Sequence, residues 1–341
     1  MTFDWSWREE SGEWRFFFID VPDKHPSIAC YTLANARWPD MPADTDVLIY
    51  RPDHNEYFSG VMPEVFGPYG LALSGASRRT HTVDGMWPFE TATGGPSEWV
   101  AGEAAPGLNL IQLHNVLSSG TGAVEPISLD AGQVWLEPGQ LDLVPGQTSA
   151  EVRVSTSVAL PGLSSLAFGF ALPNLLAGQP ISQDYSHDPS TARWTKDLTV
   201  TAAGMIDITT SSPDPIDIDL YLLYDANGDG IFDGTYEVVA LSASSVAAEH
   251  IRYYLPKGGR YRIAVHGYRV PKPSKFEISI LVAEARDIQV SVPAGAFRRG
   301  RPETVGLTFP PAPEGGVGII FLGPPEAPGV IPLPVKVTSG G

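Results

Sequence analysis

The segment Asp225-Ala226-Asn227-Gly228-Asp229-Gly230-Ile231-Phe232-Asp233 carries four side chains with carboxylate or amide oxygens within nine residues. Written as a twelve-residue calcium loop, Asp225, Asn227, Asp229 and Asp233 take positions 1, 3, 5 and 9. Gly230 supplies the sharp turn at position 6, and Ile231 offers its carbonyl at position 7. Position 12 is Tyr236, so the bidentate Glu is missing, and waters or a neighbouring loop must complete the shell. The same residues also spell a hairpin, since Asn-Gly and Asp-Gly favour the positive φ of tight turns. Charge tips the reading toward metal. Clustered carboxylates on an acidic chain repel one another, and Ca²⁺ relieves that repulsion while satisfying hard oxygen ligands. The expectation is a Ca²⁺ site with affinity in the weak, extracellular range of about 10⁻⁴–10⁻³ M.

Two further pairs of carboxylates, Asp217 with Asp219 and Asp44 with Asp46, lie two residues apart, on one face of a strand. Side by side they repel unless a cation or donors compensate. They either extend the metal shell, Asp217 or Asp219 joining the loop ligands, or line a solvated face. His114 and His266 recur at matching places, as a metal ligand or general base, or as histidines held by backbone hydrogen bonds at a strand end. Trp5 and Trp7, with Trp14, form either an aromatic platform for sugar or peptide or part of a core.

Strands must position these residues. Alternation with period two runs through Glu151–Val154, Phe276–Ile280 and Asp287–Val292, each bounded by turn residues. The one helix candidate, Ser244–Leu255, reads better as strand, because Ile251, Tyr253 and Leu255 alternate into the Pro256-Lys257-Gly258-Gly259 turn. Two internal repeats interleave. In the stronger, Asp44-Thr45-Asp46 entering an apolar strand matches Asp217-Ile218-Asp219, and a later strand ends at His114 in one copy and His266 in the other. In the weaker, a Gly turn precedes an alternating strand at 144–152 and at 298–307. The predicted fold is all-β: tandem antiparallel sandwiches at 1–122 and 186–285, interleaved with small immunoglobulin- or fibronectin-like units at 123–185 and 286–341.

Composition bounds the function. Across 341 residues, 22 Lys and Arg face 39 Asp and Glu, a net charge of −17, which argues against nucleic acid or an anionic membrane as partner. Frequent breakers, 35 Gly and 32 Pro, combine with 43% apolar residues, which excludes disorder and coiled coil. Cys30 is the only cysteine, so a disulfide framework is excluded. No basic segment followed by an apolar stretch opens the sequence, and runs such as 318–322 are too short to span a bilayer. There is no Gly-x-Ser-x-Gly elbow, His-Glu-x-x-His or phosphate-binding Gly-rich loop.

Three stretches together resemble the bacterial pre-peptidase C-terminal domain: Gln183–Ala192, Asp217–Gly230 and Val265–Tyr268. Phe89–Pro96 and Leu113–Leu117 are similar to segments in the C-terminal regions of large secreted subtilisin-like serine proteases. The resemblance implies a jelly-roll-like sandwich appended to a protease, secreted and calcium-stabilised. The His-Gly-Thr and Gly-Thr-Ser-Met-Ala contexts of a subtilisin-like catalytic domain are missing from this sequence. The expected function is therefore a non-catalytic, calcium-stabilised accessory region that partners a subtilisin-like catalytic domain in cis or anchors protein or polysaccharide surfaces. Its expected location is extracellular, as a segment of a longer or processed precursor. A carbohydrate- or surface-binding module and a free-standing self-assembling structural subunit are the alternatives.

Overall fold

A computed structural model describes residues 2–4, 14–23, 26–38, 44–51, 70–75, 97–117, 126–185, 188–234 and 237–338. Trp5 and Trp7 lie outside the described residues, and Trp14 is described by its backbone alone. The described chain is almost wholly β, as its alternation predicts, with a single short 3₁₀ turn at Pro189–Thr191. No helix among these residues is long and apolar enough to cross a membrane.

The first eight strands are β1 (Thr2–Asp4), β2 (Trp14–Val21), β3 (Ala29–Arg37), β4 (Asp44–Arg51), β5 (Gly70–Gly75), β6 (Ser97–Glu103), β7 (Gly107–Leu117) and β8 (Pro126–Glu137). They pair in the orders β1-β8-β3-β6 and β2-β7-β4-β5. Later in the chain come β12 (Asn174–Ile181), β13 (Trp194–Val200), β14 (Met205–Ser211), β15 (Asp217–Tyr224), β16 (Val238–Ser242), β17 (His250–Tyr254), β18 (Gly259–Arg269) and β19 (Ser274–Ala283). These pair as β12-β19-β14-β17 and β13-β18-β15-β16, the same two orders strand for strand. Each set of eight antiparallel strands in two facing sheets is a jelly roll.

The two rolls agree in register as well as order. Asp46 lies opposite His114 and Asp44 opposite Leu117, with one extra residue on β7 between the pairs. Asp219 lies opposite His266 and Asp217 opposite Arg269, with the same irregularity on β18. A second irregularity falls between Ile49 and Tyr50 in one copy and between Leu222 and Leu223 in the other.

Seven strands lie between the rolls or follow the second: β9 (Leu141–Leu143), β10 (Ser149–Thr156) and β11 (Ser164–Ala171), then β20 (Gln289–Ser291), β21 (Glu303–Thr308), β22 (Val317–Gly323) and β23 (Ile331–Val337) in two chain segments. They do not build two separate small units. β10 pairs with β21, Val152 opposite Val305, so the two weaker repeat copies are partners in one sheet. β11 pairs with β22, and β9 pairs in parallel with β23. A unit of about sixty residues has little interior of its own, and pooling the two segments gives one sandwich with a continuous core. The expected boundaries shift accordingly. β8, beyond residue 122, closes the first roll along β3, and its far end continues the sheet to β10. β12, ahead of residue 186, belongs to the second roll through its pairing with β19.

Five sheets therefore stack with four apolar layers between them. Val47, Ile49, Ile111 and Leu113 meet Ala34, Ala36, Ile127 and Leu129 inside the first roll. The other face of that roll's β3 sheet, with Leu33 and Trp99, packs on Ile320, Leu322 and Leu333. The opposite face of β22, Ile319 and Phe321, meets Phe168, Met205 and Leu281. Ile206, Ile278 and Phe276 then face Leu220, Ile263 and Tyr261 within the second roll. Because β22 is buried on both faces, it reads as an unbroken apolar run rather than an alternating one.

Candidate functional site

The acidic loop leaves β15 at Asp225 and folds back across the outer face of its own sheet. Phe232 buries against Leu223, Ala264 and Ala192. The guanidinium of Arg262 lies 4.4 Å from the centre of the Phe232 ring, which fixes the loop over β18. Gly228 and Gly230 take φ of 74° and 79°, the left-handed conformation that Asn-Gly and Asp-Gly pairs provide.

Asp225 is the anchor. Its side chain is 2% exposed, and its Oδ2 accepts from the Gly230 N–H at 3.1 Å with Arg260 Nη1 3.6 Å away. Its Oδ1 is buried without a hydrogen-bond partner. Asn227 and Asp229 are engaged locally: Asn227 Oδ1 accepts from the Asp229 N–H, and Asp229 Oδ1 accepts from the Ile231 N–H. The Asn227 amide also donates to Asp229 Oδ2.

Glu237, which the twelve-residue template passes over, closes the loop. It is buried, with Oε1 accepting from the Ala226 N–H at 3.0 Å and Oε2 from the Asp233 N–H at 2.8 Å. One carboxylate thus ties the first and last turns together, one residue beyond the position where the template requires its bidentate Glu. The signal in the sequence was an acidic residue at 237; a fixed count to Tyr236 hid it.

The fit to calcium rests on that chemistry. Asp225 and Glu237 are buried carboxylates, one holding an oxygen with no donor, and Asp229, Asn227 and Asp233 line the same turn. As the side chains stand, no group of three or more His, Cys, Asp and Glu converges at metal-ligand distance among the described residues. Ligation requires Asn227 and Asp229 to turn from their local hydrogen bonds toward Asp225.

Asp217 and Asp219 do not join this loop. Six residues of strand separate Asp219 from Asp225, about 20 Å at the rise of a β-strand. They sit at the other end of β15 in a second polar cluster. Both are buried, with His266 1% exposed. Tyr221 donates to Asp219 Oδ2 at 3.4 Å, and His266 Nδ1 lies 3.8 Å from the same oxygen. Burial, reinforced by the charge of Asp219 and opposed by Arg269, holds the Asp217 carboxyl above the usual carboxylate range. Beside them Asp184 is fully engaged, by the Gly267 N–H at 2.9 Å and by Arg193 at 3.2 Å. In the first roll the side chains of Asp44, Asp46 and His114 lie outside the described residues, and the strand register alone places them.

The region read as a helix-or-strand choice, Ser244–Leu255, contains β17 and a preceding loop. That loop is organised by buried Glu249, which accepts from the Ser244 N–H and from the hydroxyls of Ser242 and Ser244.

No family model and no curated protein matches the chain. Among solved structures, tripeptidyl peptidase 2 aligns over 100% of this chain at 12% identity with a TM-score of 0.35. The chain spans 30% of the length of that structure. PNGF-II aligns over 80% of this chain and 59% of its own at 9% identity and a TM-score of 0.25. The VP2 subviral particle of infectious bursal disease virus aligns over 91% and 79% at 8% identity and a TM-score of 0.16. Likenesses this distant leave the function to be argued from the chain's own residues.

Proposed function

We propose that the chain is a non-catalytic, calcium-stabilised accessory region of a secreted subtilisin-like serine protease, acting to stabilise that enzyme or anchor its substrate. The observation that carries the calcium part is the buried Asp225 carboxylate, whose Oδ1 has no donor while Glu237 closes the same loop. Leaving a buried carboxylate oxygen without a partner is costly, and a hard cation removes that cost. In this reading Asp225, Asn227, Asp229, Asp233, Glu237 and the Ile231 carbonyl hold the ion. The ion locks the loop over the outer face of β18 and takes no part in chemistry. The accessory role is supported by two jelly rolls joined through a stack of sheets with shared apolar layers, a platform suited to holding another domain in place.

Mass spectrometry of the natural polypeptide that contains this chain tests the reading. Peptides of a subtilisin-like catalytic domain on the same covalent chain are expected. A natural polypeptide with no such domain would overturn the protease assignment.

A surface-anchoring role is favoured by one feature. Tyr185 is 89% exposed, with the Arg193 guanidinium 5.7 Å from its ring centre. An aromatic face beside a planar donor suits stacking on a sugar ring. Retention on insoluble polysaccharide that Tyr185→Ala abolishes would favour this role, and equal retention of both proteins would exclude Tyr185 as the contact.

A further inference from the structure

The two jelly rolls share a backbone, but their outer faces have diverged. Register equates Phe16 and Phe18 on β2 with Thr195 and Asp197 on β13, and Leu108 and Leu110 on β7 with Arg260 and Arg262 on β18. The Phe18–Leu110 pairing of the first roll is thus an Asp197–Arg262 ion pair in the second. Against that background one constellation is common to both. Asp44, Asp46 and His114 hold the same register positions as Asp217, Asp219 and His266, around the same extra residue on the partner strand.

In the second roll a purely structural role does not account for it, because two adjacent buried carboxylates, Asp217 and Asp219, oppose folding. In the second roll the pair is short of donors. The Asp217 side chain is 6% exposed, and its Oδ1 is buried with no hydrogen-bond partner. The nearest cation to its other oxygen is Arg269, at 3.7 Å, beyond hydrogen-bond reach. Arg269 is itself 71% exposed and can swing away. The 3.8 Å between His266 Nδ1 and Asp219 Oδ2 is also too long for a hydrogen bond. It is less than twice the roughly 2.0–2.2 Å of a metal–ligand bond, so both atoms can reach one ion between them.

We propose that Asp217, Asp219 and His266 form a site for a first-row divalent cation. Two carboxylates and one imidazole suit Mn²⁺ better than Ca²⁺, which prefers six to eight oxygens. Binding turns the Asp217 carboxylate from Arg269 toward Asp219, and Arg269 takes the cation's place when the site is empty. The site is independent of the 225–237 loop and does not rest on the calcium reading.

The test is Mn²⁺ binding to the full chain, read by loss of the free-ion electron paramagnetic resonance signal, with millimolar Ca²⁺ present to saturate the loop. One bound Mn²⁺ per chain is expected, lost with Asp219→Asn. Asp217→Asn, which relieves the repelling pair and so keeps the fold, replaces Asp219→Asn if that variant does not fold. No bound Mn²⁺, or an unchanged count in the second-roll variants, would overturn the site. Loss of the calcium response with Mn²⁺ binding intact would refute only the loop reading.

Discussion

Among single residues, Asp225 and Glu237 show how a turn sequence becomes a candidate ion site. The Asn-Gly and Asp-Gly pairs bend the chain, but the buried carboxylates at either end set the loop's electrostatics. Asp197 shows the opposite case, a carboxylate satisfied by protein alone. Arg262 donates to it through Nε at 2.6 Å and Nη2 at 3.0 Å, which together with the nearby Arg260 holds the Asp197 carboxyl below the usual range. A carboxylate with a depressed value stabilises the fold above its unfolded pKa, and that contribution is lost as pH falls through the lower, folded value. With the Asp197 side chain 44% exposed, solvent screening reduces the effect. Asp197→Asn is expected to destabilise by less than about 1 kcal/mol at pH 7. In urea titrations the gap from the parent protein should close as pH drops below 3.8, the ordinary aspartate value. A gap that persists unchanged at pH 2.5 would exclude the ion pair as its cause.

The strand β22 joins two apolar layers, Ile320 and Leu322 facing one and Ile319 and Phe321 the other. Phe321 lies edge-on to Phe168 at 6.3 Å and to Tyr254 at 5.6 Å, joining the central sandwich to the second roll. Truncation of a buried phenylalanine costs about 3–5 kcal/mol. Phe321→Ala is therefore expected to lower stability by that amount in chemical denaturation, and a loss under 1 kcal/mol would show that this layer contributes little. The elements differ in how far the sequence discloses them. Alternation and turn residues identify the strands, and the Asp-x-Asp and His markers expose the repeat, because those signals are local. The pairing of Ser149 with Thr308 joins segments roughly 150 residues apart, and nothing in either segment names its partner. The same holds for β22: an apolar run such as Gly318-Ile319-Ile320-Phe321-Leu322 states that both faces are covered without stating by what. At the site, Asp225, Asn227 and Asp229 were legible from spacing. Glu237 was not, because a count fixed to the twelve-residue template ends at Tyr236.

In the whole molecule, four continuous apolar layers join the two jelly rolls and the composite sandwich. Units that share strands and cores unfold together, so scanning calorimetry is expected to give one dominant transition; well-separated transitions for the two rolls would contradict a fused stack. The account's central claim is that the acidic loop of the second roll stabilises this body by binding Ca²⁺. The most direct measurement is the melting temperature of the protein and of Asp225→Asn, each with excess chelator and with Ca²⁺. At about 100 times the dissociation constant, binding to the folded state alone adds roughly 2.7 kcal/mol. The parent protein should melt several degrees higher in Ca²⁺ than in chelator, and Asp225→Asn should melt at the same temperature in both. Superimposable melting curves for the parent protein in Ca²⁺ and in chelator would contradict the claim and leave the loop a hairpin turn.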